Sequence, residues 1–390
     1  MNQELHLPKG FKYTGIHAGL KGTANLDLAL IYSDVPCEAT GVFTQNHFPG
    51  EPVKLAKEIL KEGRLQAIIA NSKISNVATG EAGQKVAQHI CSSLAQELSL
   101  EEKLCVISST GIIGRLYPEG VIEKALPKLC QSLKADSDSF MNAAKAIMTT
   151  DTKAKAFSAK VGSATINIMA KGAGMIDPNM ATMLAFITTD AKIPHLILGD
   201  ILKRVVNQSF NNLSIDFDTS TSDSCFLMAN GLAGEVDLEA FEKALKDLCW
   251  QCSEALVMDG EGVDTLIDCQ VGGSTDHSMA RAVASSIVNS PLVKTMITGA
   301  DPNWGRLIMA IGKVDDTRLC GVAPTIHING ICVFKEGAPH EHDLTAISNS
   351  MKTQDRVLLE VDLRRGNESI RYLGGNLTKE YVSINADYTT

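Results

Sequence analysis

Between Lys171 and Ile187 the chain reads Lys-Gly-Ala-Gly-Met-Ile-Asp-Pro-Asn-Met-Ala-Thr-Met-Leu-Ala-Phe-Ile. An apolar, β-branched run, Ala164–Met169, leads into this stretch, and a second apolar run, Met183–Ile187, leads out of it. Gly172 and Gly174 let the backbone change direction, and Pro178-Asn179 is a further turn signal. The segment reads as strand, reversal, strand, with Thr182 delivered to the edge of the second run. On its own, such a pattern describes a tight loop entering a core strand.

The remainder switches repeatedly between strand-like and helical patterning. Residues 12–48 read as short strands and turns rich in Gly and Thr, and Cys105–Ser108 as a short strand ending in a turn. Helices are expected over 53–61, Val121–Leu133, Met141–Met148 and Glu81–Leu98, where Val86, Ile90 and Leu94 recur every four positions. Pro194–Val206 and Asp237–Trp250 read as helices, the first with Pro near its start and the second capped by Asp237. Thr275–Ile287 is a small-residue helix, Asn230-Gly231 a turn, and the last ninety residues short strands separated by Gly, Asn and Pro turns. This is an α+β chain of mixed sheets and helices, with no fixed-period repeat, and 390 residues suggest two or three structural units.

Composition narrows the partners. With 44 % hydrophobic and 21 % charged residues the chain is too apolar to be disordered. A formal charge of −9 without a dense basic tract argues against nucleic acid as a partner. No apolar stretch is long enough for a membrane span, and Met1-Asn-Gln-Glu-Leu5 does not read as a secretory signal, so a cytoplasmic protein is expected. The ten cysteines are dispersed and mostly in apolar contexts, as expected of reduced, packed thiols.

Common motifs give little. His340-Glu341-His342 superficially suggests a metal, but beside Pro339 in a charged loop it reads as a solvated face. Cys249 and Cys252 lack a second pair to complete a zinc site and read as packing residues. Gly111-Ile-Ile-Gly114 lacks the dinucleotide spacing, and no histidine pairs locally with a serine or cysteine. No metal or tightly bound cofactor is expected.

The junction 171–184 resembles the self-cleavage and nucleophile motif of the ornithine acetyltransferase family, the bifunctional glutamate N-acetyltransferase/amino-acid acetyltransferases of arginine biosynthesis. Gly41-Val-Phe-Thr44, Asn46 and Pro52-Val53 resemble its early motif, and Ser109-Thr110-Gly111 with Ile113-Gly114 its oxyanion segment. Asp259-Gly-Glu-Gly262, Leu292-Val-Lys-Thr295, Asp301-Pro-Asn-Trp-Gly-Arg306 and Asn385-Ala-Asp-Tyr-Thr-Thr390 continue the likeness in family order over essentially the whole chain.

The resemblance implies an ornithine acetyltransferase/DmpA-like fold and a precursor that cleaves itself between Ala181 and Thr182. The products would be an α chain, 1–181, and a β chain, 182–390, forming one intertwined catalytic unit, with two of each in a heterotetramer. Thr182 would be the nucleophile, its new α-amine serving as base. Such amines titrate near 7.7–8.0, so an appreciable fraction is free at neutral pH. Thr110 and Gly111 would form the oxyanion hole. Thr149, Thr150, Lys171, Thr182, Glu261, Asn385 and Thr390 match substrate-binding positions; Thr150 is favoured within its segment, without deciding between the threonines. Lys171 suits a substrate carboxylate and Glu261 the cationic amine of ornithine. Asn385 and Thr390 offer groups that suit an amino-acid ligand, while Arg306 is expected to be structurally paired. The implied reaction moves acetyl from N2-acetyl-L-ornithine to L-glutamate by a ping-pong route, with acetyl-CoA as a possible second donor.

Three places depart from the family pattern. Asn71-Ser-Lys-Ile-Ser-Asn76 stands where an Asn-Ser-Gly-Asn-Ala-Asn run is general, so Lys73 and Ile74 replace smaller residues suited to close backbone approach. Asp216-Phe217-Asp218 has Phe where Gly usually sits, and Leu373-Gly-Gly-Asn376 replaces the common Trp-Gly-Cys-Asp. These changes bear on the range of acyl donors, acetyl-CoA above all. Two other readings compete: an amino-terminal-nucleophile amidase or aminopeptidase, which would hydrolyse the acyl-enzyme, and a non-catalytic binding or regulatory protein, which would stay intact.

Overall fold

The computed structural model describes residues 5–177 and 183–387. The described chain divides into two compact units: one holds the chain as far as Asn211 together with Asp218–Cys252, the other Asn212–Phe217 and the chain from Ser253 to Asp387. The expected cut between 181 and 182 falls inside the first unit.

Among the described residues, the first unit is built on an eight-stranded mixed sheet. Its path runs Cys105–Ser109, Arg64–Asn71, Leu28–Phe43, Ser224–Gly234, Leu184–Ala191, Ala164–Lys171 and Lys155–Val161, with Phe11–Ile16 pairing on Leu28–Phe43. Both faces of its first strands are covered. Leu28 and Leu30 pack with Ile90 and Leu94 of the helix Gly80–Leu98, while Ala29 and Ile31 join Phe140 of the helix Ser137–Ala146. Successive side chains point to opposite faces, so a strand buried on both sides reads as an unbroken apolar run. The second unit is a seven-stranded sheet centred on Leu266–Ser274, which runs parallel to Arg356–Asp362 and antiparallel to Glu368–Gly375. The helices His277–Val288, Pro291–Thr298, Trp304–Gly312 and Leu344–Thr353 share its core.

The mixed sheet-and-helix class is as expected, and most helices fall where the periodicity places them. Asp237 caps the helix Leu238–Met258 by accepting the Ala240 N–H at 2.7 Å. Cys249 and Cys252 are fully buried packing residues, and burial pushes the Cys252 thiol up to about 12.

Three expectations need correction. Residues 12–48 contain one long strand, Leu28–Phe43, whose pairing with Arg64–Asn71 is irregular between Tyr32 and Cys37; local turn-like residues there mark a bend within a strand. Asn230-Gly231 is likewise no turn: it lies within Ser224–Gly234, where the pairing shifts register and Gly231 takes φ +77°. The last ninety residues hold the helices Trp304–Gly312, Leu344–Thr353 and Lys379–Asp387 besides their strands. Short amphipathic helices give too few turns for their period to stand out. No helix among the described residues is long and apolar enough to cross a membrane.

Candidate active site

One register row crosses four strands of the first unit: Lys171 faces Leu184, Leu184 faces Ser224, and Ser224 faces Phe43. Lys171 lies on this row, Thr44 follows Phe43 and Met183 precedes Leu184. Ala181 and Thr182, the expected cleavage pair, and Thr390 lie outside the described residues.

A single loop holds both flanks of the junction. Thr219 Oγ1 donates to the Asp177 carbonyl at 3.0 Å, and Thr219 bridges to Ile176. On the other side, the Ser224 N–H donates to the Met183 carbonyl at 2.9 Å. The early motif fastens this loop: Thr44 Oγ1 donates to the Ser220 carbonyl (2.7 Å), the Thr44 N–H to the Asp223 carbonyl (3.0 Å), and Asn46 Nδ2 to the Thr219 carbonyl (2.9 Å).

The oxyanion segment follows the strand Cys105–Ser109. Buried Asn71 fixes its start, accepting from Ser109 Oγ at 2.7 Å and donating to the Ile74 carbonyl at 2.9 Å. The Thr110 N–H is committed to the Asn71 carbonyl at 3.1 Å. Among the described residues, the Thr110 hydroxyl and the Gly111 N–H make no hydrogen bond, so two donors stay available side by side. Gly111 has φ +128°, and a Cβ there would meet the Lys73 and Ile74 backbone at 2.2–2.7 Å. This contact runs on into the junction loop, because the Glu51 N–H donates to Asn76 O (3.1 Å) and the Gly50 N–H to Thr221 O (2.9 Å).

Asp151 organises the cationic side of the site. Its carboxylate accepts from the Thr149 N–H (2.9 Å), the Gly172 N–H (2.7 Å) and Lys155 Nζ (2.6 Å). Burial alone would raise its pKa, but the charges of Lys155 and Lys171, together with the hydrogen bonds from Lys155 and the Thr149 N–H, outweigh burial and hold it at about 2. Lys171 Nζ donates to Thr149 Oγ1 at 3.1 Å, and Thr150 sits half-buried next in the chain. Lys21 belongs to the same group: it donates to Met148 O at 2.9 Å, and burial lowers its pKa, Asp27 and Asp151 opposing and Lys171 and Lys73 adding to the fall.

In the second unit, Glu261 and Asn385 meet: Asn385 Nδ2 donates to Glu261 Oε2 at 2.9 Å. Gly262, at φ +68°, lets the motif pass close to the helix carrying Asn385, since a Cβ would lie 2.3 Å from the Tyr381 nitrogen. Arg306 is structurally paired as expected, donating to Leu292 O (2.7 Å) and Thr295 Oγ1 (3.2 Å). Buried Lys294 ties Ile215 O and Gly375 O together. The Leu292–Thr295 and Asp301–Arg306 motifs therefore brace one another.

Sequence reasoning missed Asp151, Lys155 and Asp223. Asp151 and Lys155 are four apart but not on a helix, so their spacing carried no signal. Asp223 looked like one polar residue among many in a Ser/Thr-rich loop.

The chain matches the ArgJ family over residues 12–390. Arginine biosynthesis bifunctional protein ArgJ 2 of Clostridium acetobutylicum is 42 % identical over 98 % of both chains. Glutamate N-acetyltransferase Oat2 of Streptomyces clavuligerus is 39 % identical, again over 98 % of each. The solved ArgJ of Bacillus halodurans, 39 % identical, covers 53 % of this chain and 100 % of its own with a TM-score of 0.50. Fold and matches together define an acyltransferase of amino-acid biosynthesis. The chain belongs to the ArgJ family, the ornithine acetyltransferases its motifs resemble.

Proposed function

We propose that the protein transfers the acetyl group of N2-acetyl-L-ornithine to L-glutamate through an acetyl-threonine at Thr182, after cleaving itself between Ala181 and Thr182. The observation that carries this reading is the pair of uncommitted donors, Thr110 Oγ1 and the Gly111 N–H, in the unit whose sheet also aligns Lys171 with the start of the strand after the junction.

Thr182 Oγ attacks the acetyl carbonyl while the α-amine of the same residue takes its proton. The Thr110 and Gly111 donors stabilise the oxyanion; one such donor is typically worth about 3–4 kcal/mol in comparable acyl transfers. The proton passes to the departing ornithine amine. Glutamate then attacks the ester with its own amine, and N-acetylglutamate leaves. Lys171 balances a substrate carboxylate, and Glu261, oriented by Asn385, receives the ornithine side-chain amine. Acetyl-CoA enters as an alternative donor for the same threonine. Fragments 1–181 and 182–390 stay together, two of each in the assembly.

The test follows ornithine release with and without glutamate, together with the intact mass of wild type and Thr182→Ala. The reading expects glutamate-dependent turnover, two chains for wild type and one for the variant. Release of free acetate without glutamate would instead mark a hydrolase, and an intact, inactive wild type a binding protein.

A further inference from the structure

Lys21 lies outside every motif quoted above, and the proposed mechanism does not use it. Its half-buried ammonium donates to Leu26 O at 2.8 Å and to Met148 O at 2.9 Å. An ammonium has three donors. Among the described residues Lys21 makes no other side-chain hydrogen bond and no ion pair, so one donor is left over and its charge meets no carboxylate at contact distance. The two carboxylates that act on it from further off are committed elsewhere. Asp27, fully buried, accepts from the N–H groups of Ala18 (2.6 Å), Gly19 (3.2 Å) and Lys21 itself (2.9 Å). Asp151 serves Lys155 and the Thr149 and Gly172 N–H groups. Removing a charge from water is costly, and burial pulls the Lys21 pKa below the usual lysine value.

The surroundings hold this ammonium in place. The Ser72 N–H donates to Asp27 O at 3.1 Å, and Ser72 Oγ donates to Ala146 O at 2.7 Å. Ser72 and Lys21 thus grip the Ala146 and Met148 carbonyls, and Thr149-Thr150 starts from a fixed point. Lys171 Nζ donates to Thr149 Oγ1 at 3.1 Å, so two ammonium groups hold consecutive residues. Like charges so placed repel, and an anion between them offsets the repulsion. We propose that Lys21 is a second cationic ligand for the α-carboxylate of the amino-acid substrates, sharing it with Lys171 through the donor that Leu26 and Met148 leave over. The α-carboxylate is the charged group that N2-acetylornithine and glutamate have in common, so one site serves both half-reactions. This rests on the proposed role of Lys171.

The test compares kcat/KM for N2-acetyl-L-ornithine with that for its decarboxylated analogue, N-acetyl-1,4-diaminobutane, with glutamate saturating. Lys21→Met is expected to lose roughly ten- to a hundredfold with N2-acetylornithine, mostly as a higher KM, and little with the analogue. Its KM for glutamate should rise in similar proportion. The ratio between the donors does not depend on how much of a preparation is folded. Lys21→Arg keeps the charge and should keep most of the preference, and Lys21→Gln decides the matter if the methionine variant does not fold. Equal losses with both donors overturn the inference, since Lys21 then only holds the Met148 segment. Lys171→Met, run alongside, tests the reading beneath. A donor-selective loss there alone leaves Lys171 its role and removes Lys21 from it; equal losses in both variants overturn both.

Discussion

Gly111 stands so close to Lys73 that a Cβ on the glycine would lie 2.3 Å from the Lys73 carbonyl oxygen. The obstacle is backbone, already fixed by the Ile112 N–H at 2.9 Å, so it cannot swing aside. Gly111→Ala is therefore expected to displace the N–H of residue 111 while leaving the protein folded. Transfer from N-acetylornithine to glutamate should fall about 10²–10³-fold in kcat, with circular dichroism unchanged. Near-wild-type kcat would remove Gly111 from the oxyanion hole.

Lys73 itself takes φ +84°, and Phe217, exposed at 63 %, takes φ +68°. Both stand where the family pattern usually has glycine, and both occupy the left-handed region that side chains disfavour. Restoring glycine relieves strain but also frees the unfolded chain. Each of Lys73→Gly and Phe217→Gly should gain roughly 0.5–1 kcal/mol in urea unfolding. A loss of stability at either position would show that the side chain makes contacts outweighing its backbone strain.

Asp151 predicts an acid limb of stability. Its carboxyl titrates at about 2 when folded against 3.8 for the ordinary group. The stabilisation, roughly 2 kcal/mol, is complete above about pH 4 and is lost as pH falls through 2. Asp151→Asn removes the carboxylate that faces the buried Lys155 ammonium and should cost about 3–5 kcal/mol near neutrality. Unfolding curves between pH 2 and 7 should show a flatter acid limb for the variant, and an unchanged slope would contradict the assignment.

Glu261→Gln removes the charge that Asn385 orients. The expected outcome is a KM for N-acetylornithine raised about tenfold or more, with kcat much less affected, because a charge-assisted contact to the substrate is lost in ground and transition states alike. Steady-state kinetics with glutamate saturating would check this, and an unaltered KM would place the ornithine amine elsewhere.

How far the sequence could be read depended on how local each signal was. The helix Gly80–Leu98 announced itself because Ile90 and Leu94 recur within one element. The glycines flanking the junction did so because turns are local as well. The contacts that build the site are not local: Thr44 reaches Ser220 across 176 positions, and Lys155 meets Asp151 only because a strand end and a loop converge. Asn230-Gly231 misled for the opposite reason, since a strong local turn signal was absorbed into a strand as a bulge once its neighbours paired. Thr110 and Gly111 were singled out by resemblance; that their donors make no hydrogen bond among the described residues was visible only in the fold.

The central claim is most directly tested by mixing purified enzyme with N-acetylornithine in the absence of glutamate, quenching in acid, and mapping the acetyl group by peptide mass spectrometry. The account predicts acetyl on the side chain of Thr182, at the start of a peptide whose α-amine is free, and its disappearance when glutamate is added before the quench. Acetyl on another side chain, or none on an enzyme that is nonetheless turning over, would contradict it.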